Sequence, residues 1–408
     1  MRFTSGMSDA VNAREAVEVA CQQAKEQLGG APCHLVHLFA STIYRASWPL
    51  LLEHIIGQLR PQVLLGCSGS GIIGGGKELE WVPAISIMAA SLPDVRLFPF
   101  VVTPDELELS SPGGFWVDKI GASPDAHPVF VVFADPYTSN PMKLIEGLNA
   151  TYRTRPMIGG LVSGGNEPGE HFLFMQQQVY HEGAVGVAMT GNIMMDTIIS
   201  QGCRPIGRPF VVTKAEENVI WQLGGQQALA VLHQVLFSLS PEDRELAQRG
   251  SVFVGLAMNE MRPAFGSGDF LIRNIVGIDP EQGAIAVADQ VRVGQTAQFQ
   301  LRDPSTSRQE LRRLLCQVGH GHVGPPVGCL LFNCTGRGKS LYGLSHQDVK
   351  TIQMVNGKLP IGGFFCSGEI GPVGGTNFLH GYTASLGLFR PRPTPSLGSP
   401  KSSDPAKT

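Results

Sequence analysis

Three segments of this chain share one spacing: a proline, six residues, then Ser-Gly. They are Pro61-QVLLGC-Ser68-Gly69, Pro156-MIGGLV-Ser163-Gly164 and Pro360-IGGFFC-Ser367-Gly368. Each follows a buried-strand pattern, HLVHLFAS (34–41), PVFVVFAD (128–135) or GCLLFNCT (328–335), and then a short helical stretch around 49–59, 141–153 or 345–356. Further strand-like runs come after each Ser-Gly. The unit is therefore strand, helix, proline, strand, glycine loop, strands. Units repeated at fixed spacing share a sheet or pack as pseudo-symmetric bodies. The expected fold is α+β, with repeated strand–helix–strand units forming mixed sheets flanked by helices in two pseudo-related halves.

Outside the repeat, residues 8–28 read as a helix. Ala13, Ala16, Val17, Ala20, Ala24 and Leu28 fall on one face, and Gly29-Gly30 can end it. Between the second and third units the pattern changes. GGQQALAVLHQVLFSL (224–239) is helical, Ser240-Pro241 opens a capped short helix, and 251–303 reads as a β-meander followed by helix over 307–318. The sequence TKAEEN marks a boundary near 214–222. The expected organisation is an N-terminal helix in 1–30, a first half over 31–218, a second over 219–390, and a Pro/Ser-rich disordered tail over 391–408.

Composition narrows the partners. Of 408 residues, 31 are Lys or Arg and 34 Asp or Glu, a net charge of −3, which offers no electrostatic grip on nucleic acid or anionic membrane. No run approaches the roughly 18 apolar residues of a membrane span, and the N-terminus has no signal-peptide core. A cytoplasmic protein is expected. The 8 cysteines include no C-x-x-C pair, so free thiols are expected.

Several motifs admit plainer readings. Gly69-Ser-Gly71-Ile-Ile-Gly74 matches G-x-G-x-x-G, but no helix opens after it, as a dinucleotide site requires. Gly336-Arg337-Gly338-Lys339-Ser340 resembles a phosphate loop whose first glycine is replaced by Asn333. There is no G-x-S-x-G elbow. His34/His37 and His320/His322 lack metal-chelating spacing. Cys67 and Cys366 hold the place that Val162 takes in the second unit, which reads as buried thiols. Cys334 sits at a strand end before Arg337, the one thiol placed for a lowered pKa and a nucleophilic role.

A resemblance to a known family rests on GCSGSGIIGGGKELEWVPAISIMAASLP (66–93), FADPYT (133–138), IGGLVSGG (158–165), HEGAVGVAMTG (181–191), FLIRNIVGID (270–279), LFNCTGRG (331–338) and GGFFCSGEIGPVGG (362–375). These segments resemble the FIST family, with its FIST N and FIST C parts, over roughly residues 34–390. The resemblance implies a non-catalytic sensory module that binds a small molecule such as an amino acid. It also allows a haem, as in relatives that sense nitric oxide, although no cofactor is expected from the residues. No output domain is expected in this chain, so a signal is expected to pass through a separate signalling protein or self-association; a protein-interaction scaffold is the alternative expectation.

The expected ligand site is the set of glycine loops: Cys67, Ser68, Gly69, Ser163, Gly164, Cys366, Ser367, Gly368 and Glu369. Asp135, Thr335 and Arg337 add polar contacts at strand ends. Arg337 would pair a carboxylate, and Asp135 or Glu369 an ammonium.

Overall fold

The computed structural model describes residues 1–261, 265, 268–320 and 324–393. The tail beyond 393 and His322 lie outside the described residues. Three six-stranded sheets and a barrel make up the described chain. Each sheet is built around one repeat unit. In the first, the parallel pair Leu35–Ser41 and Val63–Gly69 is connected by the helix Trp48–Leu59. In the second, Val129–Ala134 and Met157–Leu161 are joined through Pro141–Thr151; in the third, Gly328–Cys334 and Ile361–Cys366 through Gln347–Asn356. A strand placed later in each unit runs antiparallel beside the first: Ile85–Ser91, Ala184–Gly191 and Ala384–Arg390.

The hairpin after each Ser-Gly leaves its own sheet. Gly71–Gly74 with Lys77–Glu80 joins the third sheet, Leu173–Met175 with Gln178–Tyr180 joins the first, and Gly368–Val373 with Thr376–His380 joins the second. The exchange runs in one rotational sense around a common axis. Phe39, Phe133 and Phe332 meet on that axis with centroids 5.5–6.1 Å apart, and Phe364 lies 5.5–5.7 Å from each.

Glycine makes the parallel pairs possible. A Cβ on Gly66, Gly159 or Gly363 would lie 1.8 Å from the carbonyl oxygen of Leu38, Val132 or Leu331. These glycines fix which residues correspond between units, and they correct the proline ruler. Counting from them, Ser70-Gly71, not Ser68-Gly69, matches Ser163-Gly164 and Ser367-Gly368. The first unit carries Ser-Gly twice in succession, and the proline spacing picked the earlier copy.

The N-terminus also differs from its reading. Arg2–Ser8 is a buried edge strand against Ile85–Ser91, and the helix begins at Ala13 with Asn12 as its cap. A Cβ on Gly6 would lie 2.0 Å from Ala20 O, so this strand lies directly under the helix. The expected boundary at 214–222 falls on paired strands, Phe210–Glu216 and Val219–Leu223. Those strands belong to a closed ring with Val252–Ala257, Phe270–Asp279, Ala284–Val287 and Thr296–Arg302. The fourth strand of the expected meander returns to pair with the first and so closes a barrel filled by Val212, Ile220, Leu256, Ile285, Phe299 and Leu301. The barrel is inserted within the third unit: Met194–Ser200 before it pairs with Ala384–Arg390 after it.

Gly363→Ala should lower stability by about 3 kcal/mol or more, since a methyl group meets backbone with nowhere to move. Gly57→Ala, mid-helix with nothing within 4 Å, should instead raise it by about 0.5–1 kcal/mol. Denaturant unfolding of the two variants checks the contrast.

Candidate functional site

Ser163 is the fastening point of the three glycine loops. Its hydroxyl donates to Phe365 O and accepts from Ser70 N at 2.9 Å, while Ser68 Oγ donates to Ser163 O at 3.2 Å. Ser367 N reaches Leu161 O at 3.0 Å, and Thr42 Oγ1 reaches Gly164 O at 3.1 Å. Cys67, Ser68, Gly69 and Cys366 are buried. Their polar groups satisfy one another, so these loops hold the units together.

Three strand ends occupy equivalent places. Ser41, Asp135 and Cys334 each donate a backbone N–H to the neighbouring antiparallel segment, at Ala84, Gly183 and Thr383. Asp135 is saturated: Oδ1 accepts from Tyr137 N, Thr138 N and Thr138 Oγ1, and Oδ2 lies 3.1 Å from His171 Nδ1. Burial opposes its charge, but the His171 and Thr138 hydrogen bonds hold its carboxyl below the ordinary value.

Arg337 is also engaged. Its Nε and Nη2 bind Asp348 at 2.7 and 3.1 Å, and its Nη1 binds Ser200 O at 3.2 Å. Asp348 further accepts from Asn333 Nδ2 and Tyr342 OH. Burial works against the Arg337 charge, yet the Asp348 carboxylate holds the guanidinium above its ordinary value. An Arg337 spent on Asp348 does not meet an incoming carboxylate.

The unspent groups sit beside it. Arg302, at the end of the barrel strand Thr296–Arg302 and 6% exposed, donates Nη1 to Gly336 O at 3.2 Å and lies 4.9 Å from the centre of the Tyr382 ring. Its Nε and Nη2 are buried without a partner. Burial, then the charge of Arg337, pulls its pKa below the ordinary value. Glu369 is fully buried; Oε2 accepts from Thr383 N at 3.1 Å and Thr383 Oγ1 at 2.9 Å, and Oε1 has no partner. Burial pushes its carboxyl up to about 8 against the hydrogen bonds of Thr383 and the charges of Arg302 and Arg337. Thr335 and Gly336 are half-buried and Ser367 is exposed, so the chain segments that flank this cluster reach the surface. Beyond the loop Gly381–Thr383, a cleft of about 620 Å³ separates the barrel from the second sheet, with Arg273, Asp289, Leu379 and His380 among its walls.

Of the expected residues, the structure brings Thr335, Ser367, Gly368 and Glu369 to this cluster. It places Cys67, Ser68, Gly69, Ser163 and Gly164 in the loop fastening and Asp135 on the second unit's own strand end. Arg302 and Tyr382 had no motif to announce them. One signal did exist in the repeat: Ile72, Leu173 and Glu369 face equivalent strand positions, Phe364, Cys67 and Gly160, and only the third is charged. Cys334 departs from its reading. Burial, then the neighbouring Glu369, pushes its thiol up to about 12, so it is no low-pKa nucleophile. Among the described residues no group of three or more His, Cys, Asp or Glu could hold a metal ion, and no helix is long and apolar enough to cross a membrane.

Comparison with known proteins agrees with the segments singled out in the sequence. Residues 34–226 match the FIST N domain and residues 228–372 the FIST C domain. An uncharacterized protein of Mycobacterium tuberculosis (strain ATCC 25618 / H37Rv) is 38% identical over 391 residues, covering 95% of this chain and 100% of that one. An uncharacterized protein of Mycobacterium bovis is 36% identical, covering 95% and 99%. A cyanuric acid hydrolase of known structure is 9% identical at a TM-score of 0.31, covering 95% of this chain and 99% of that one. The chain belongs to the FIST family, a non-catalytic family of sensory modules that bind small molecules in signal transduction.

Two outcomes follow from the contrast between the arginines. Arg337→Leu leaves the buried Asp348 carboxylate without its counter-ion and should cost about 3–5 kcal/mol, whereas Arg302→Leu removes two orphaned donors and should be close to neutral or stabilising; thermal unfolding compares them. Stability should also fall as pH rises from 6.5 to about 8. Folded Glu369 and Glu78 (also pushed up to about 8, by burial and then Asp348) keep protons there that the unfolded chain releases. Below 6.5 the buried His37 and His380, pushed down to about 3 and about 4, act in the opposite direction. Glu369→Gln should flatten the alkaline slope in a pH series of melts.

Proposed function

We propose that this chain is a sensory protein whose small ligand, an amino acid or a metabolite of similar charge, binds at the junction of the third sheet and the barrel. The observation that carries the reading is the pair of orphaned groups: the Nε–Nη2 edge of Arg302 and Oε1 of Glu369. Buried polar atoms ordinarily have partners, and unsatisfied ones point to a ligand, ion or water. That guanidinium edge suits a carboxylate with two parallel hydrogen bonds, and the carboxyl oxygen suits an ammonium. Arg302 thus takes the role that the sequence assigned to Arg337.

The signal passes to a separate protein or through self-association. Arg302 belongs to the barrel, and Glu369 to a hairpin lying on the second sheet, so one ligand would touch bodies that are otherwise joined side by side. Haem meets one histidine in the cleft, His380, whose Nε2 lies 3.0 Å from Gly371 O. The residues therefore suit a charged metabolite better than a macrocycle.

A thermal-shift screen against amino acids, related metabolites and haemin tests this. An amino acid at 100 times its Kd should add about 2.7 kcal/mol, and Arg302→Met should abolish the shift. A shift kept by both Arg302→Met and Glu369→Gln would put the ligand elsewhere. A response to haemin alone would move the site to the histidines.

A further inference from the structure

Several charged and titratable groups face Glu369. Arg302 faces it from the barrel, Arg337 from the loop after Gly328–Cys334, and the thiols of Cys334 and Cys366 from the parallel pair. Thr383 binds Oε2, and His380 lies directly opposite in the hairpin. Among these, His380 is neutral near pH 7, because burial pushes it down to about 4, and both thiols are held in the protonated form by burial. Arg337 is neutralised by Asp348. The remaining charge belongs to Arg302, whose two unpartnered nitrogens show no direct bond to Glu369. A fully buried carboxyl whose second oxygen meets no donor gains little from ionising, and burial favours its neutral form.

We infer that the ligand binds as a zwitterion and that its ammonium exchanges for a proton on Glu369. The inference rests on the site proposed above and specifies its ligand class and its coupling to pH. The ligand carboxylate closes the Nε–Nη2 edge of Arg302. Its ammonium meets Oε1, and the Glu369 proton leaves for solvent. No covalent bond to carbon, nitrogen or sulfur changes. Before binding the cluster holds one positive charge, on Arg302. Afterwards it holds Arg302, the Glu369 carboxylate and a zwitterion, which sum to zero. Binding thereby removes the isolated buried charge. An α-hydroxy acid supplies the carboxylate without the ammonium, so it leaves the proton in place. An N-acetylated amino acid loses the cation altogether.

Isothermal titration of the full chain with the common L-amino acids, their α-hydroxy counterparts and their N-acetyl derivatives reads the exchange. Titrations at pH 6.5 in buffers of different ionisation heat should give close to one proton released per L-amino acid and none per α-hydroxy acid. Affinity for the amino acid should rise by about tenfold from pH 6 to pH 7 and level off above the carboxyl pKa. Glu369→Gln, which keeps the shape of the side chain, should remove both the proton and the slope. Binding with no proton released and a flat pH profile would overturn the exchange while leaving the site in place, provided Arg302→Met still abolished it. Tighter binding of the α-hydroxy acid than of the amino acid would also overturn it. Failure of every amino acid to bind the wild-type chain would overturn the site itself. The ligand series uses only wild-type protein, so it remains decisive even if a variant does not fold.

Discussion

Three parallel strand pairs converge on one axis in this protein, and the distance of closest approach within each pair is set by a residue with no side chain. Gly66, Gly159 and Gly363 each face a carbonyl oxygen that a Cβ would strike. With those carbonyls accommodated, Phe39, Phe133 and Phe332 can reach the axis and pack edge to face, an arrangement aromatic rings prefer over a direct sandwich. The serine loops then close over the top of the aromatic core. Everything outside this centre, the helices on the outer faces and the inserted barrel, is positioned by strands whose spacing the glycines determine.

Much of the architecture was visible because repetition is a property of sequence. The strand patterns, the three connecting helices and a change of pattern after the second unit could all be read in advance, but not its limits: Met194–Ser200 and Pro304–His320, read with the intervening stretch, belong to the third unit. The errors have physical causes. Ser68-Gly69-Ser70-Gly71 offers two identical dipeptides, and the ruler could not choose between them without knowing where the carbonyl contact falls. Arg2–Ser8 carries too few large apolar residues to read as a strand; its burial comes from the helix packed over Gly6. Arg337 looked available because its partner, Asp348, is brought back by a turn between two short helices. Arg302 could not be placed at all, since a barrel strand more than thirty residues upstream has no periodic relation to the loop it meets.

The orphaned polar groups of Arg302 and Glu369 lie where the symmetry fails. Positions equivalent to Glu369 are filled by Ile72 and Leu173, both fully buried in their sheets, and positions equivalent to Cys334 by Ser41 and Asp135, each satisfied by local partners. The third unit alone has the barrel beside its strand ends, and the barrel supplies the cation. An insertion thus sets one of the three corners of the repeated scaffold apart from the other two.

The cyclic exchange of hairpins has a consequence for how the chain is made. The first unit's hairpin, residues 71–80, pairs with Ile361–Cys366, which leaves the ribosome almost three hundred residues later. During that interval its apolar residues Ile72 and Ile73 have no sheet to enter, and the ring cannot close from the N-terminal end. Vectorial synthesis, ordinarily a route to folding one domain at a time, gives this protein no complete intermediate. Truncation before the last unit therefore leaves an open sheet edge rather than a smaller native protein, and the nascent chain is a natural client for chaperones that shield such edges.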